Sequence, residues 1–595
     1  MVEQLITEHL DLWTSAHTTR STSGRGSSNK LVLTGIKKLR ELILELAVRG
    51  KLVPQSPGDA PAAVLLSEIK KEKEDLVKAK LIKKPKPLPA ISGEDLPFLI
   101  PECWEWVRLQ DVTTYIQRGK GPKYADSGSV RVVSQKCVQW SGFDTAPARF
   151  VTDESLGKYT AERFLKSHDL LWNSTGTGTV GRIVEISNIE EKSLVADSHV
   201  TVIRPLVVLG SFLTAYISAP GIQRRIEPES PNALVSGSTK QVELNTSSVN
   251  ALEVPIPPLA EQTRIVAKVD ELMALCDQLE KQTEDSISAH QTLVETLLAT
   301  LTDSLDADEL AQNWARLAEH FDTLFTTEHS IEQLKQTILQ LAVMGKLTSR
   351  NAKDTSASEL LANLNSRKLN FYAKKQLKKQ KPLKKISETE IPFDLPDGWQ
   401  WARIGDATLF SEYGISAKTF ETKDGVPVLK MGDIQDGKVI LGGQKKAALD
   451  FEGIDDLMLK NGDVLYNRTN SSELVGKTGL YAGPDEFYSF ASYLIRIRCD
   501  ENTVRPDFLN LNMNTPLFRA TQINPHLKQQ CGQANVNGTI MKSMLVAVAP
   551  IEEQGRIMEK VNELLTTCEN LKKKLTVAQN RKAQLAAELV EQAVA

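Results

Sequence analysis

Downstream of Pro550, apolar residues alternate at four- and three-residue steps: Ile557, Val561, Leu564, Cys568, Leu571, Leu575, Ala578, Leu585 and Leu589, interrupted only at Lys582. This is a heptad pattern with apolar a and d positions, and it predicts a long helix with one apolar stripe. Ile265, Val269, Leu272, Cys276 and Leu279 repeat the pattern downstream of Pro258. Continued to about residue 301, it predicts a second helix of roughly 40 residues, ~60 Å long. A proline just ahead of each suits the first helical turn. Neither helix can bury its stripe alone. Internal antiparallel pairing of the two is expected, and it would hold whatever they carry at a fixed separation. Dimerisation with a second chain is the competing reading.

A shorter stripe lies upstream of each basic linker. Leu39, Ile43 and Leu46, and again Leu334, Ile338 and Leu341, predict amphipathic helices closed by Gly50 and Gly345 in C-cap positions. These segments belong to a repeat. IKKLRELILELAVRGKL (36–52) and IEQLKQTILQLAVMGKL (331–347) agree at ten of seventeen positions, at an offset of 295. KKPKPLPAIS (83–92) faces KKQKPLKKIS (378–387), and LPFLIPECWEWVRL (96–109) faces IPFDLPDGWQWARI (391–404). PLAEQTRIVAKVDELMALCDQL (258–279) matches PIEEQGRIMEKVNELLTTCENL (550–571) at eleven of twenty-two positions. Helical low complexity can mimic one such match, but not four in the same order. The period far exceeds the ~20–50 residues of a solenoid unit, so two large copies imitate a two-fold dimer.

The expected organisation follows: an N-terminal helical region (1–55), a basic linker (56–99), a globular domain (100–256), a central helical spacer (257–350), a second basic linker (351–394), a second globular domain (395–548) and a C-terminal helix (549–595). The stretch from Thr18 to Lys30, rich in Ser, Gly and Thr, is expected to be a flexible connector, with a basic DNA-touching arm as the competing reading. The two globular inserts barely resemble each other. SHDLLWNST (167–175) parallels NGDVLYNRT (461–469), and TVGRIVEI (179–186) parallels LVGKTGLY (474–481). One frame therefore carries two different inserts, as it would if they recognise different things.

Both inserts read as mixed α/β, with β-branched runs at 130–134, 200–205, 426–431 and 492–498 between Gly, Asn and Asp turns. Their polar turns hold the residue types that contact nucleic acid. Lys, Arg, Ser and Thr suit phosphates, whereas Arg, Lys, Asn and Gln suit base edges. In the first insert the candidates are Arg118, Lys120, Lys123, Tyr124, Gln135, Lys136, Asn173, Ser174, Thr175, Arg224, Arg225, Ser238, Thr239, Lys240 and Gln241. In the second they are Lys418, Lys430, Asn467, Arg468, Thr469, Asn470, Ser471, Ser472, Lys528, Gln529, Gln530, Gln533 and Asn535. The stretch KQQCGQANVN (528–537) packs three Gln and two Asn into ten residues with one Lys, a composition suited to reading bases and poor for nonspecific adhesion. Any single one of these is more readily read as an ordinary solvated side chain than as a base contact, and the clusters carry more weight than their members. The lysines at 78–86 and 374–385 either track phosphate or simply keep a connector in water.

Composition narrows the field. With 41% hydrophobic and 25% charged residues over 595 positions, the chain is an ordinary globular protein of several domains. A net charge of −3 excludes a uniformly basic protein but leaves room for local basic patches. The six cysteines are scattered without a CxxC, and read as reduced thiols. No apolar run reaches the ~18 residues of a membrane span and the N-terminus lacks signal-peptide charge, so a cytoplasmic protein is expected. GTGTVG (176–181) matches a dinucleotide fingerprint only formally, because its counterpart NSSELVG (470–476) lacks the first two glycines. It reads as a turn. No methyltransferase, metalloprotease, serine-hydrolase or nuclease signature stands out, which points to binding as the chain's role.

LAVRGKL and LAVMGKL, then ECWEWVRL and DGWQWARI, then PLAEQTRI and PIEEQGRI, together resemble the specificity subunits of type I restriction-modification enzymes, over almost the whole chain. GRGSSNK followed by GIKKLRELILELAVRGKL resembles the subgroup with an extended N-terminus. The resemblance implies an α+β tandem duplication in which two mixed α/β target-recognition domains are joined by long antiparallel coiled-coil helices with pseudo-two-fold symmetry. It implies sequence-specific binding of double-stranded DNA at a bipartite asymmetric site. It also implies two modification and two restriction subunits as partners. Those partners would perform adenine methylation and ATP-dependent cleavage and would use S-adenosylmethionine, ATP and magnesium. This chain would bind no cofactor or metal and hold no catalytic residue.

Overall fold

The computed structural model describes residues 2–21, 29–93, 96–176, 178–230, 232–238, 241–305, 307–530 and 533–594. They form two compact units, Met1–Ser286 with Ala578–Ala595, and Ile287–Val577. The long helices run from Leu259 to Asp303 and from Ile551 to Val594, 45 and 44 residues.

Within the second unit the short helix Glu328–Val343 is held by Lys335 Nζ to Glu569 (2.9 Å), and Thr348 beyond its end by Glu553 (3.3 Å), so it runs opposite to 551–577. His329 meets Glu295 (3.3 Å) and Lys346 Nζ donates to Thr302 O (2.6 Å), so the same helix runs alongside 287–303. The two long-helix segments of this unit are therefore antiparallel. One core joins Ile557, Val561 and Cys568 to Val294, Leu298 and Leu301, and to Ile331, Leu334, Ile338 and Leu341, with Leu564 and Leu571 half-buried beside it.

The first unit repeats the arrangement. Arg40 on the helix Thr34–Val48 binds Asp277 (2.8 Å) and Glu280 (2.6 Å), and Gln55 donates to Glu261 (2.6 Å). Lys582 Nζ donates to Ser15 Oγ (3.0 Å) and Lys51 Nζ to Val594 O (3.1 Å), so 578–594 runs opposite to 259–286. Ile265, Val269, Leu272 and Cys276 are buried and Leu279 half-buried. The segment opposite Ile557–Cys568 is 294–301. Antiparallel pairing sets the start of one helix against the end of the other.

Each short helix ends in a Schellman turn: Lys51 N donates to Leu46 O (2.9 Å) and Lys346 N to Leu341 O (3.0 Å), with Gly50 and Gly345 both at φ 69°. A Cβ on Gly50 would sit 2.5 Å from Pro101 Cγ, and one on Gly345 2.6 Å from Pro396 Cγ. The lysine that follows each glycine caps the C-terminal carbonyls of the other copy's long helix, Lys51 at Val594 and Lys346 at Thr302 and Ser304. A cation there complements the negative end of the helix dipole.

Tryptophans lock the globular domains to these helices. Trp104 Nε1 donates to Glu261 (3.0 Å) and Trp399 Nε1 to Glu553 (3.1 Å), and the rings pack edge-on against Phe212 and Phe508 at 6.0 and 6.1 Å. Burial raises both carboxyls above their ordinary range, and the indole N–H opposes the shift. Arg264–Asp59 and Arg556–Asp354 repeat the equivalence one helical turn on. Each domain opens and closes on one antiparallel strand pair, Glu105–Arg108 with Glu253–Ile256, and Gln400–Arg403 with Leu545–Val548.

Despite their dissimilar sequences, the inserts share one topology. The order 183–185, 170–173, 200–205, 113–118 in the first recurs as 478–480, 464–467, 494–498, 410–413 in the second. The registers agree: Leu170 opposes Ile203, and Val464 opposes Ile497. Buried Asp169 and Asp463 each hold an arginine two-pronged, Arg204 (both 2.7 Å) and Arg498 (2.7 and 2.6 Å).

Two sequence expectations change. Segments read as basic linkers each contain a 17-residue helix, Ala62–Lys78 and Ala357–Ala373, which present Lys73 to Gln110 O and Lys368 to Gly405 O and Thr408 O. In the stretch read as a flexible connector, Thr18–Ser21 pairs with Asn29–Val32, and residues 22–28 lie outside the described residues.

Candidate nucleic-acid interface

In each domain the buried central strand stops at an asparagine, Asn173 or Asn467, and the chain beyond it is drawn to a β-hairpin. In the first domain Leu244 N donates to Ser174 O (2.8 Å) and Thr175 bridges Glu243, which brings the hairpin Val235–Leu244 alongside. In the second, Thr469 pairs with Asn535 and Asn470 with Ala534. This builds a three-stranded sheet with the hairpin Lys528–Asn535. The two hairpins occupy the same place in one topology.

Around the first hairpin, Asn173 Nδ2 donates to Gln135 O (3.1 Å) and pins the turn 135–139. Arg118 pairs with Glu243 on the hairpin, and Arg182 joins Gln139 Oε1 to Gly178 O. Four candidate groups therefore converge: Arg118, the turn of Gln135 and Lys136, the strand end 173–175, and the hairpin of Ser238 and Gln241. Gly176, Gly178 and Gly181 all have positive φ (107°, 76° and 92°), in keeping with a turn at GTGTVG. Around the second hairpin, Arg468 Nε donates to Ser492 O (2.9 Å) with its guanidinium 5.0 Å from the Tyr413 ring centroid, and Val536 N donates to Arg468 O (2.9 Å). Arg519 clamps the loop through Val475 O and Ser472 O. Asn470 Oδ1 accepts from Ser471 N, and Asn535 is exposed.

The structure redistributes the candidates. Asn173, Ser174 and Asn467 are buried, so they set the hairpin in place and cannot themselves reach a duplex. Arg225 is tied to Glu253 and Asn232 O beside the first domain's strand pair, with Arg224 exposed next to it. Lys120 donates to Lys158 O, Lys123 pairs with Glu154, and Tyr124 lies under Arg149 at 4.0 Å, so these three belong to the 149–158 segment. Lys418 and Lys430 are exposed, the latter donating to Thr419 Oγ1 (3.1 Å). Thr239 and Lys240 lie outside the described residues, as do the side chains of Ser238, Gln241, Lys528, Gln529, Gln530 and Gln533. Sequence reasoning missed Gln139, Trp140, Arg182 and Glu243. Only the turn QWSG (139–142) carried a local signal, a polar turn with a large aromatic in it.

Among the described residues, five cysteines are free, and no group of three or more His, Cys, Asp or Glu is arranged to hold a metal ion. Burial pushes the Cys276 thiol up to about 11. Cys531 lies outside the described residues, and among those described no helix is long and apolar enough to cross a membrane.

One strand order thus recurs in both domains and runs in each to a hairpin of different sequence. The family model of the type I restriction modification DNA specificity domain matches residues 101–289 and again 396–579. The chain is 36% identical to the specificity subunit of the type I restriction enzyme EcoEI and 37% identical to that of EcoAI, both from Escherichia coli, over 100% of this chain and 100% of each relative. The crystal structure of an HsdS subunit from Thermoanaerobacter tengcongensis is 16% identical and covers 84% of this chain and 98% of its own, with a TM-score of 0.39. The chain belongs to the DNA specificity subunits of type I restriction-modification systems.

Proposed function

We propose that each domain reads one half of a bipartite, asymmetric DNA site, and that the chain directs adenine methylation and ATP-dependent cleavage carried out by partner subunits. The observation that carries this reading is the equivalent placement of two hairpins of different composition. The frame is repeated while the edge that meets bases is not. Two modification and two restriction subunits assemble with the chain in the cytoplasm. They use S-adenosylmethionine, ATP and magnesium, and this chain binds none of these and catalyses no step. The spacer between the half-sites is set by the long helices.

Methylation mapping across the genome of a host carrying this chain with its modification subunits tests the reading. Two different half-sites at a constant spacing are expected; a single continuous motif, or methylation by the purified chain alone, overturns it. Inserting one full helical turn within 280–300 lengthens the spacer and leaves both half-sites unaltered. Replacing Gln530 and Gln533 with Ala relaxes one half-site only, by about 1–3 kcal/mol for each two-pronged hydrogen-bonded base that goes unread. A uniform weakening with a shallower salt dependence would instead assign both glutamines to phosphates.

A further inference from the structure

A second pair of hairpins, matched in ladder register and in two flanking hydrogen bonds, differs at its tips. In the first domain Val138–Gln139 pairs with Gly142–Phe143, and in the second Ile434–Gln435 pairs with Lys438–Val439. Asp144 N donates to Cys137 O (2.9 Å) as Ile440 N does to Asp433 O (2.8 Å). Gln139 Nε2 donates to Lys136 O (2.7 Å) as Gln435 Nε2 does to Gly432 O (3.2 Å). The two-residue turns, however, are Trp140-Ser141 and Asp436-Gly437. The second tip is fastened to its own domain, because Gly437 O accepts from Leu480 N (3.0 Å) and Asn510 Nδ2 (2.8 Å). The first carries its indole outward, 58% exposed.

Of the chain's eight tryptophans, Trp140 is the one left exposed; Trp13, Trp104, Trp172 and Trp399 are buried and Trp106, Trp314 and Trp401 half-buried. Its hairpin is fixed on two sides. Asn173 Nδ2 reaches Val138 O (3.4 Å), and Gln139 Oε1 receives Arg182, which also holds Gly178 O. The indole therefore stands on a rigid support beside the strand end that positions the reading hairpin, with exposed Lys136 and Ser141 next to it. A fixed aromatic flanked by a cation and a hydroxyl has the make-up of an apolar DNA contact: the ring packs on a base step while its neighbours meet phosphates.

We propose that Trp140 is an apolar anchor for DNA, its indole packing against a base step in the half-site read by the first domain. The second domain, with an aspartate at the equivalent tip, has no such anchor, so the two half-sites are gripped differently. This rests on the DNA-reading function proposed above.

The test uses the full-length chain assembled with its modification subunits, and a duplex that the wild-type assembly selects from a randomised pool. Acrylamide quenching of tryptophan fluorescence reads Trp140 directly, since W140F removes the readily quenched component from the free protein. Bound duplex is expected to protect that component. W140A should bind the duplex about 5- to 150-fold more weakly, the range expected when one base–aromatic stack is removed, and lose preference in one half-site while W140F retains most of both. Because the fluorescence measurement uses the wild-type protein, it stands even if W140A folds poorly. Continued quenching of Trp140 in the bound complex, or an unchanged W140A affinity, overturns the anchor. If the wild-type assembly selects no two-part duplex, the DNA-reading proposal itself falls and takes this one with it.

Discussion

The two copies agree most closely where they touch the long helices and least where their strands end. Trp104 and Trp399 repeat the same hydrogen bond to a buried glutamate, and Lys51 and Lys346 repeat the same helix cap. Buried Asn173 and Asn467 end equivalent strands. Yet one leads to VSGSTKQVEL and the other to a hairpin built from KQQCGQAN, and one turn tip carries Trp140 where the other carries Asp436. Repetition therefore follows packing. The side chains that lock each domain to the frame are kept in both copies, whereas those at the solvated tips differ.

The largest test of this equivalence removes the locks. Trp104→Ala and Trp399→Ala should each cost about 3–5 kcal/mol, with the destabilisation confined to the unit that carries the change. Denaturant unfolding followed by hydrogen exchange in each unit measures both; clearly unequal costs would mean the frames are not energetically matched. A middle-sized effect separates the heptad expectation from the observed packing. Ala586 is fully buried and Leu585 is 51% exposed, so Ala586→Leu should destabilise by about 1–3 kcal/mol through overpacking, and Leu585→Ala by less than about 0.5 kcal/mol. The reverse order would restore Leu585 to the seam. The smallest effect concerns the caps: Lys51→Ala and Lys346→Ala should each cost about 0.3–1 kcal/mol and speed hydrogen exchange in the last turn of the helix they cap, near 594 and near 302 respectively. Fraying at the wrong helix end would show that the caps are not exchanged between copies.

Much of the frame is legible in the chain because its signals are local and repeated. The stripes 265–279 and 557–571, the closing glycines and the prolines ahead of the long helices all act within a few residues, and the duplication shows each of them twice. The stripe misleads beyond Leu575. There Gln579 Oε1 accepts from His17 N (3.3 Å), Lys582 reaches Ser15, and Ala586 is buried, while Ala578 and Leu585 are exposed. The helix has met a new neighbour, the N-terminal segment, and no pattern within the helix announces it. Candidate contacts suffered for a related reason: Asn173 and Arg224 are both polar residues next to turns, and only the surrounding strands decide that the first is enclosed and the second exposed.

The amino-acid sequence by itself established two copies of one design, their helices, their order and the positions at which they diverge, because periodicity and repetition are properties of the chain. Tertiary structure alone decided which end of each long helix meets which partner, that two unlike inserts share a strand order, and which polar residues are enclosed and which exposed beside the hairpins. Those outcomes depend on contacts between residues tens to hundreds of positions apart, where burial and hydrogen-bond satisfaction, not local pattern, select the arrangement.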